Sequence, residues 1–226
     1  MRNPPDALML FAAGFGTRMG ALTRTRPKPL VEVAGRPLID HALNLAQGAG
    51  IRRIVANTHY LGDQIAAHLA GRDVAISDET DRILDTGGGL RKALPLLGPG
   101  PVFTLNTDAV WTGPNVLSAL RDAWRPGMAA LLALIPAERA TGHAGPGDFT
   151  LAPDGRIARG PGHIYTGAQI IDPSGLSGIP EDVFSLNLLW DRLLPGGQVF
   201  GLVHTGGWCD VGRAETIPLA EAMLHG

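Results

Sequence analysis

The chain has 226 residues, 19 Lys and Arg against 21 Asp and Glu, a formal net charge of −2, 45% hydrophobic residues and one cysteine. That length suits one α/β domain over 1–226 with a sizeable core. The near-neutral charge, without a basic block, argues against a nucleic-acid partner. A lone thiol, Cys209, excludes an internal disulfide and a multi-thiolate zinc site.

The N-terminus MRNPPDALML lacks the charged start, long apolar middle and small-residue cleavage site of a secretory leader. Apolar runs such as 128–135 are too short to cross a bilayer. The expectation is a cytoplasmic protein with no membrane partner. Strand-length apolar runs alternate with helical spacings. A first strand is expected over Ala7–Phe11, a helix over Leu38–Ala49, a strand over Arg52–Thr58, and a helix around Leu61, Ile65 and Leu69. Strand Val74–Ser77, a helix opening after Gly87–Gly89, a buried strand in PVFTLNTD, helix Leu117–Trp124 and strand Met128–Ile135 follow. Such alternation predicts a mostly parallel sheet covered on both faces.

The second half changes character. DFTLAPDGRIAR carries two short runs about Asp154-Gly155, a hairpin signal. HIYTGAQII reads as a strand and FSLNLLWDRLLPGG as a helix stopped by Pro195 and two glycines. QVFGLVHTGGWCDVG reads as a strand running into a loop, and Pro218–Leu224 as a final helix. Glycine and proline are scattered as loop punctuation.

The loop after the first strand, FAAGFGTRMG, is glycine-rich. As a dinucleotide fingerprint it fails twice: Met19 takes the third glycine's place, and LTRTRPKPL has no helical period. As a P-loop it fails because no Lys followed by Ser or Thr comes after Gly16 or Gly20. A nucleotidyltransferase loop needs glycines for close backbone approach to a triphosphate, plus cations over its phosphates. Arg18 lies inside the loop, and Lys28 stands in a stiff Pro27-Lys28-Pro29 frame.

The stretch FAAGFGTRM…LTRTRPKPLVEVAGRPLIDHAL resembles the signature of the sugar-1-phosphate nucleotidyltransferases, A-A-G-x-G-T-R-[ML], P-K-P-[LM] and G-x-P-[LI]. The resemblance implies a three-layer αβα, Rossmann-like fold with a mixed, mostly parallel central sheet. It also implies Mg2+-dependent reaction of a nucleoside triphosphate with a sugar 1-phosphate. By this likeness Ala12, Ala13, Gly14, Gly16, Thr17, Arg18 and Lys28 bind the nucleotide, and Arg18, Lys28 and Asp108 are catalytic.

Asp108 ends the apolar run VFTLNTD, where a carboxylate faces the ligand crevice of a parallel sheet. It matches the family's metal aspartate, and Asp210, in GGWCDVG, resembles the aspartate of the W-x-D-V-G motif that completes the metal site. Arg213 stands where relatives commonly carry Thr, and Thr107 where they commonly carry Gly; neither change removes a ligand. His59 and His68 lack zinc spacing, and no basic partner marks Cys209 as a nucleophile.

TGGG at 86–89, NTHYLGDQI, GDF at 147–149 and FSL at 184–186 are most similar to the N-acetylmuramate-1-phosphate uridylyltransferases of cell-wall recycling. That likeness implies UTP as donor and N-acetylmuramate 1-phosphate as acceptor. It implies Gly87 and Gly88 against base and ribose, and Asn106, Asp148, Thr166 and Gly167 about the sugar. ARGPGHIYTG lacks the Glu-Lys-Pro stretch whose lysine grips the sugar phosphate in many relatives, leaving Arg159 as a candidate. The alternatives are a mannose-, glucose- or heptose-1-phosphate guanylyl- or uridylyltransferase, a non-catalytic nucleotide-sugar sensor, and a molybdopterin-type transferase. The W-x-D-V-G ending favours a sugar phosphate over the last. A monomer or small homo-oligomer is expected, and no acetyltransferase activity, because no long β-helix extension follows.

Overall fold

Alternation along one strand divides the molecule. In β1 (Ala7–Phe11), Ala7 and Met9 are buried on one face of a sheet and Leu8 and Leu10 on the other, as the two-residue period of a strand requires. The structure is a computed structural model that describes residues 5–226; residues 1–4, part of the segment read for a leader, lie outside the described residues.

Chain order continues with a small hairpin, β2 (Glu32–Val33) and β3 (Arg36–Pro37), then α1 (Leu38–Gly48), β4 (Arg53–Thr58), α2 (Gly62–Leu69) and β5 (Val74–Asp78). Next come α3 (Asp85–Leu97), β6 (Val102–Asn106), β7 (Ala109–Trp111), α4 (Val116–Ala123) and β8 (Ala130–Pro136). The last part holds β9 (Phe149–Leu151), β10 (Ile157–Arg159), β11 (His163–Ile171), α5 (Leu186–Leu193), β12 (Val199–Val203), β13 (Trp208–Asp210) and α6 (Ile217–His225).

Strands β5, β4, β1 and β6 run parallel, then β11 enters antiparallel and carries β9–β10 and the parallel pair β8–β12. The sheet is therefore mixed, with a parallel core. Helices α3 and α5 cover one face through Leu90, Leu97, Leu189 and Trp190. Helices α1, α2 and α4 cover the other through Ile39, Ile65 and Leu117. This is the expected three-layer α/β architecture. A third cluster, with Met19, Val33, Val110 and Val211, lies under the loops that carry the site. Side-chain caps start α4 and α5: Asn115 accepts from Leu117 N and Ser118 N, and Ser185 accepts from Asn187 N.

As expected, no α-helix follows β1; a short 3-10 segment, Thr17–Thr23, broken at Gly20, stands there. Two expectations change. The strand leading into GGWCDVG is two strands, and the second, β13, pairs with the unforeseen β7. Helix α3 begins at Asp85, so Gly87–Gly89 form its first turns instead of preceding it. The reason is packing. A Cβ on Gly87 would overlap the Phe184 ring and one on Gly88 the backbone oxygen of Asp182. The glycines let the segment before α5 lie against the helix, and Gly87 N and Gly88 N both donate to Phe184 O.

Gly88→Ala is accordingly expected to destabilise the fold by about 1–3 kcal/mol through overpacking against rigid backbone. The measurement is the urea midpoint at unchanged m-value; an unaltered midpoint would contradict the packing account.

Candidate active site

The crevice opens at the carboxyl ends of the parallel strands, where Phe11 of β1 is in register with Asn57 of β4 and Asn106 of β6. Asn57 Oδ1 accepts from Ala12 N at 2.8 Å, and its Nδ2 donates to Glu79 Oε1 at 2.7 Å. Glu79 Oε2 accepts from Leu84 N at 2.9 Å, and the residue is fully buried. This polar chain ties the start of the glycine loop to the entry of α3. Sequence reading missed it, because nothing local pairs Asn57 with Glu79; the polar residues at two strand ends were the available signal.

Three cavities share this edge. The first, about 220 Å³, is lined by Ala12, Ala13, Gly14, Lys28, Thr86 and Asp108 among others. The second, about 240 Å³, holds Asp148, Arg159, Tyr165 and Trp190. The third, about 280 Å³, holds Arg18, Asp108, His143, Thr166, Gly167 and Asp210. Asn106 lines all three, and Asp108 lines the first and third.

Lys28 is anchored on this boundary. Its Nζ lies 2.8 Å from Asp108 Oδ2, and its side chain is 11% exposed. Gly16 explains how it fits. Gly16 has φ +63, and a Cβ there would stand 2.8 Å from Lys28 Cβ, so a left-handed glycine leaves room for the lysine stem. Gly16 and Thr17 line none of the three cavities; they shape the loop beneath them.

The β7–β13 pairing brings the two aspartates together. Ala109 pairs with Asp210, and Val211 N donates to Asp108 O at 2.8 Å. Burial, and then the charge of Asp108, push the Asp210 carboxyl above its usual range, while Lys28, Arg18 and His143 pull the other way. Gly212 sits between cation and anion: a Cβ there would stand 3.1 Å from both Arg18 Nη1 and the Asp210 carboxylate oxygens. His143 Nδ1 lies 3.9 Å from Asp210 Oδ2. His143 and Arg213 line this cavity and were not among the expected site residues.

Two neighbouring carboxylates offer hard oxygen donors of the kind a divalent cation takes. Among the described residues, no group of three His, Cys, Asp or Glu is poised to hold a metal. A pair of carboxylates such as Asp108 and Asp210 is a donor set that magnesium takes together with phosphate oxygens and water.

About the second cavity, Asp148 Oδ2 accepts from Tyr165 N at 2.9 Å. Gly167 (φ +86) sits in the bulge of β11, where a Cβ would stand 2.8 Å from Asn106 Cβ. Thr166 lines the third cavity, yet its hydroxyl turns inward and donates to Ala133 O at 2.7 Å. Its backbone oxygen accepts from Trp208 Nε1 at 3.1 Å. Gly87 and Gly88 are buried in α3 and line none of these cavities; Asp85 and Thr86 form the wall instead. Asp85 has φ +59, and its Oδ1 accepts from Thr86 N. A non-glycine residue held there stores strain at the site.

The remaining candidates are structural. Burial pushes the Cys209 thiol up to about 11, as suits a packing residue. His59 Nδ1 donates to Glu79 O, and His68 pairs with Asp40.

Known proteins resemble this chain along most of its length. Residues 8–165 match the family model of the MobA-like NTP transferase domain. N-acetylmuramate alpha-1-phosphate uridylyltransferase of Caulobacter vibrioides is 40% identical, over 99% of each chain. Its namesake in Neisseria meningitidis serogroup B is 36% identical, over 95% of this chain and 96% of its own. Among solved structures, HddC of Yersinia pseudotuberculosis complexed with GMP-PN has a TM-score of 0.76 at 20% identity, covering 96% of this chain and 99% of its own. That last likeness is one of fold.

Proposed function

The chain belongs to the MobA-like NTP transferase family and is a nucleotidyltransferase, and on that premise we propose that it transfers a uridylyl group from UTP to N-acetylmuramate 1-phosphate. The products are a nucleotide-sugar and pyrophosphate, in the reuse of a cell-wall sugar, within the cytoplasm where nucleoside triphosphates are held. The observation that carries the chemistry is the meeting of Lys28, Asp108 and Asp210 on the boundary between two cavities, with Arg18 beside them. Full-length likeness to two uridylyltransferases supports the choice of substrates.

The reaction is an in-line displacement. A phosphate oxygen of the sugar 1-phosphate attacks the α-phosphorus of UTP, the bond to the β-phosphate oxygen breaks, and pyrophosphate leaves. The attacking group is already an anion, so no general base is required. The residues supply position and charge. Lys28 sits between α-phosphate and incoming phosphate. Arg18 offsets charge on the leaving pyrophosphate. Asp108 and Asp210 would hold Mg2+, which supplies charge stabilisation at the phosphates when bound. Asn106 and Asp148 supply hydrogen bonds to the sugar.

The test is pyrophosphate release with four nucleoside triphosphates crossed against a panel of sugar 1-phosphates. The expected result is fastest turnover with UTP and N-acetylmuramate 1-phosphate. Preference for GTP with mannose 1-phosphate would replace the substrates and keep the reaction class. No turnover with any pair, beside tight nucleotide binding, would overturn the catalytic reading in favour of a sensor.

A further inference from the structure

Arg159 has no place in the transfer chemistry described above, yet it lines the second cavity and is the one Lys or Arg that does so among the described residues. None of Arg18, Lys28, Asp108 or Asp210 lines that cavity. Arg159 thus stands on a different wall of the crevice from the four groups given to the transfer chemistry.

Its guanidinium is held in advance. The group lies 4.8 Å over the Phe149 ring and 5.7 Å from the Trp190 ring centre. Its Nε donates to Asp191 Oδ1 at 2.9 Å, and its Nη2 donates to Asn187 Oδ1 at 2.7 Å and to Asp191 Oδ1 at 2.8 Å. These contacts fix the plane and occupy one edge. Nη1 has no partner among the described residues. A stacked, doubly anchored guanidinium loses little freedom when it takes a further acceptor. Phe149, Tyr165 and Trp190 line the same cavity, as suits the body of a sugar ring.

We propose that Arg159 is a specificity residue that recognises a carboxylate carried by the sugar itself, remote from its 1-phosphate, and so selects acidic sugar 1-phosphates over neutral ones. The inference rests on the substrate reading above, since N-acetylmuramate differs from N-acetylglucosamine by an ether-linked lactyl group that ends in a carboxylate.

The experiment compares kcat and KM for N-acetylmuramate 1-phosphate and N-acetylglucosamine 1-phosphate, both with UTP, in wild type, Arg159→Ala and Arg159→Lys. Arg159→Ala is expected to lower kcat/KM for the acidic sugar by roughly 10- to 100-fold, mainly through KM, the size expected for losing one charged hydrogen bond. That loss exceeds the loss on the neutral sugar by at least about tenfold, and Arg159→Lys restores part of it. Equal losses on both sugars would mean that Arg159 only fastens β10 to α5, and would overturn the proposal. A second arm needs no variant: the methyl ester of the lactyl group, tested on wild type, is expected to lose a similar factor. An ester that turns over as well as the acid would also overturn it. A wild type that prefers neutral sugars defeats the substrate reading and this inference together. A preference for the acid that survives Arg159→Ala defeats the inference alone.

Discussion

Asp108→Asn is expected to lower turnover by at least ~100-fold and to leave the fold in place. The amide keeps the size of the carboxylate and removes its charge. The side chain is 31% exposed in the turn between β6 and β7, so no core packing depends on it. The backbone contact that zips this turn to Asp210, Val211 N to Asp108 O, is untouched by the change. What goes is one of two carboxylates able to hold a divalent cation, together with the anion that anchors Lys28. Loss of one preorganised charge partner commonly costs 100- to 1,000-fold in turnover, about 2.7–4 kcal/mol. Pyrophosphate release gives the rate, and a thermal melt within a few degrees of wild type shows that the fold survives. The Mg2+ concentration for half-maximal rate should also rise. Near-normal turnover at ordinary Mg2+ would remove Asp108 from the reaction.

Lys28→Ala is expected to cost at least as much. Its Cβ, packed beneath Gly16, is retained, and the Pro27–Pro29 frame continues to fix the loop. The ammonium alone is lost. Asp108 then stands beside Asp210 without its nearest cation, in a site where burial already disfavours the Asp210 charge. The attacking and leaving phosphates meet with less charge compensation just as their charge rearranges, so the loss falls on kcat more than on KM for UTP. Lys28→Arg is not a rescue. The side chain is 11% exposed, and Gly16 leaves its stem little room, so a planar guanidinium does not reach the same point. Steady-state rates across a UTP series test both statements. A Lys28→Ala enzyme with unaltered kcat and a raised KM would reduce Lys28 to a binding group.

The strands of the large sheet were legible because each run of buried residues had the right length and period, whereas the short β2, β3, β7 and β13 were not. Asp108 and Asp210 were legible because motif resemblance marked them. Other features were not. Gly87–Gly89 read as a loop, since glycine is a poor helix former. In the fold they are helical, and glycine stands there because the 182–184 segment lies against Gly87 and Gly88 and the Glu79 and Asn57 side chains against Gly89. Thr166 read as a sugar neighbour, and it lines the third cavity, but that its hydroxyl donates to Ala133 O was not legible. Arg159 read as a candidate for the sugar phosphate, and the fold sets it in a cavity that Arg18, Lys28, Asp108 and Asp210 do not line.

By itself, the sequence determined the α/β class, the parallel core and the glycine-rich loop after β1, because periodicity and glycine-cation spacing are local properties. It also singled out Arg18, Lys28 and both aspartates. Only the tertiary structure decided which groups meet. The β7–β13 register sets Asp210 beside Asp108, and the buried Asn57–Glu79 link joins the glycine loop to α3. Stacking on Phe149 and Trp190 aims Arg159 into a separate cavity. Each of these depends on residues distant in the chain, whose contacts are set by sheet order and close packing and leave no periodic mark in the sequence.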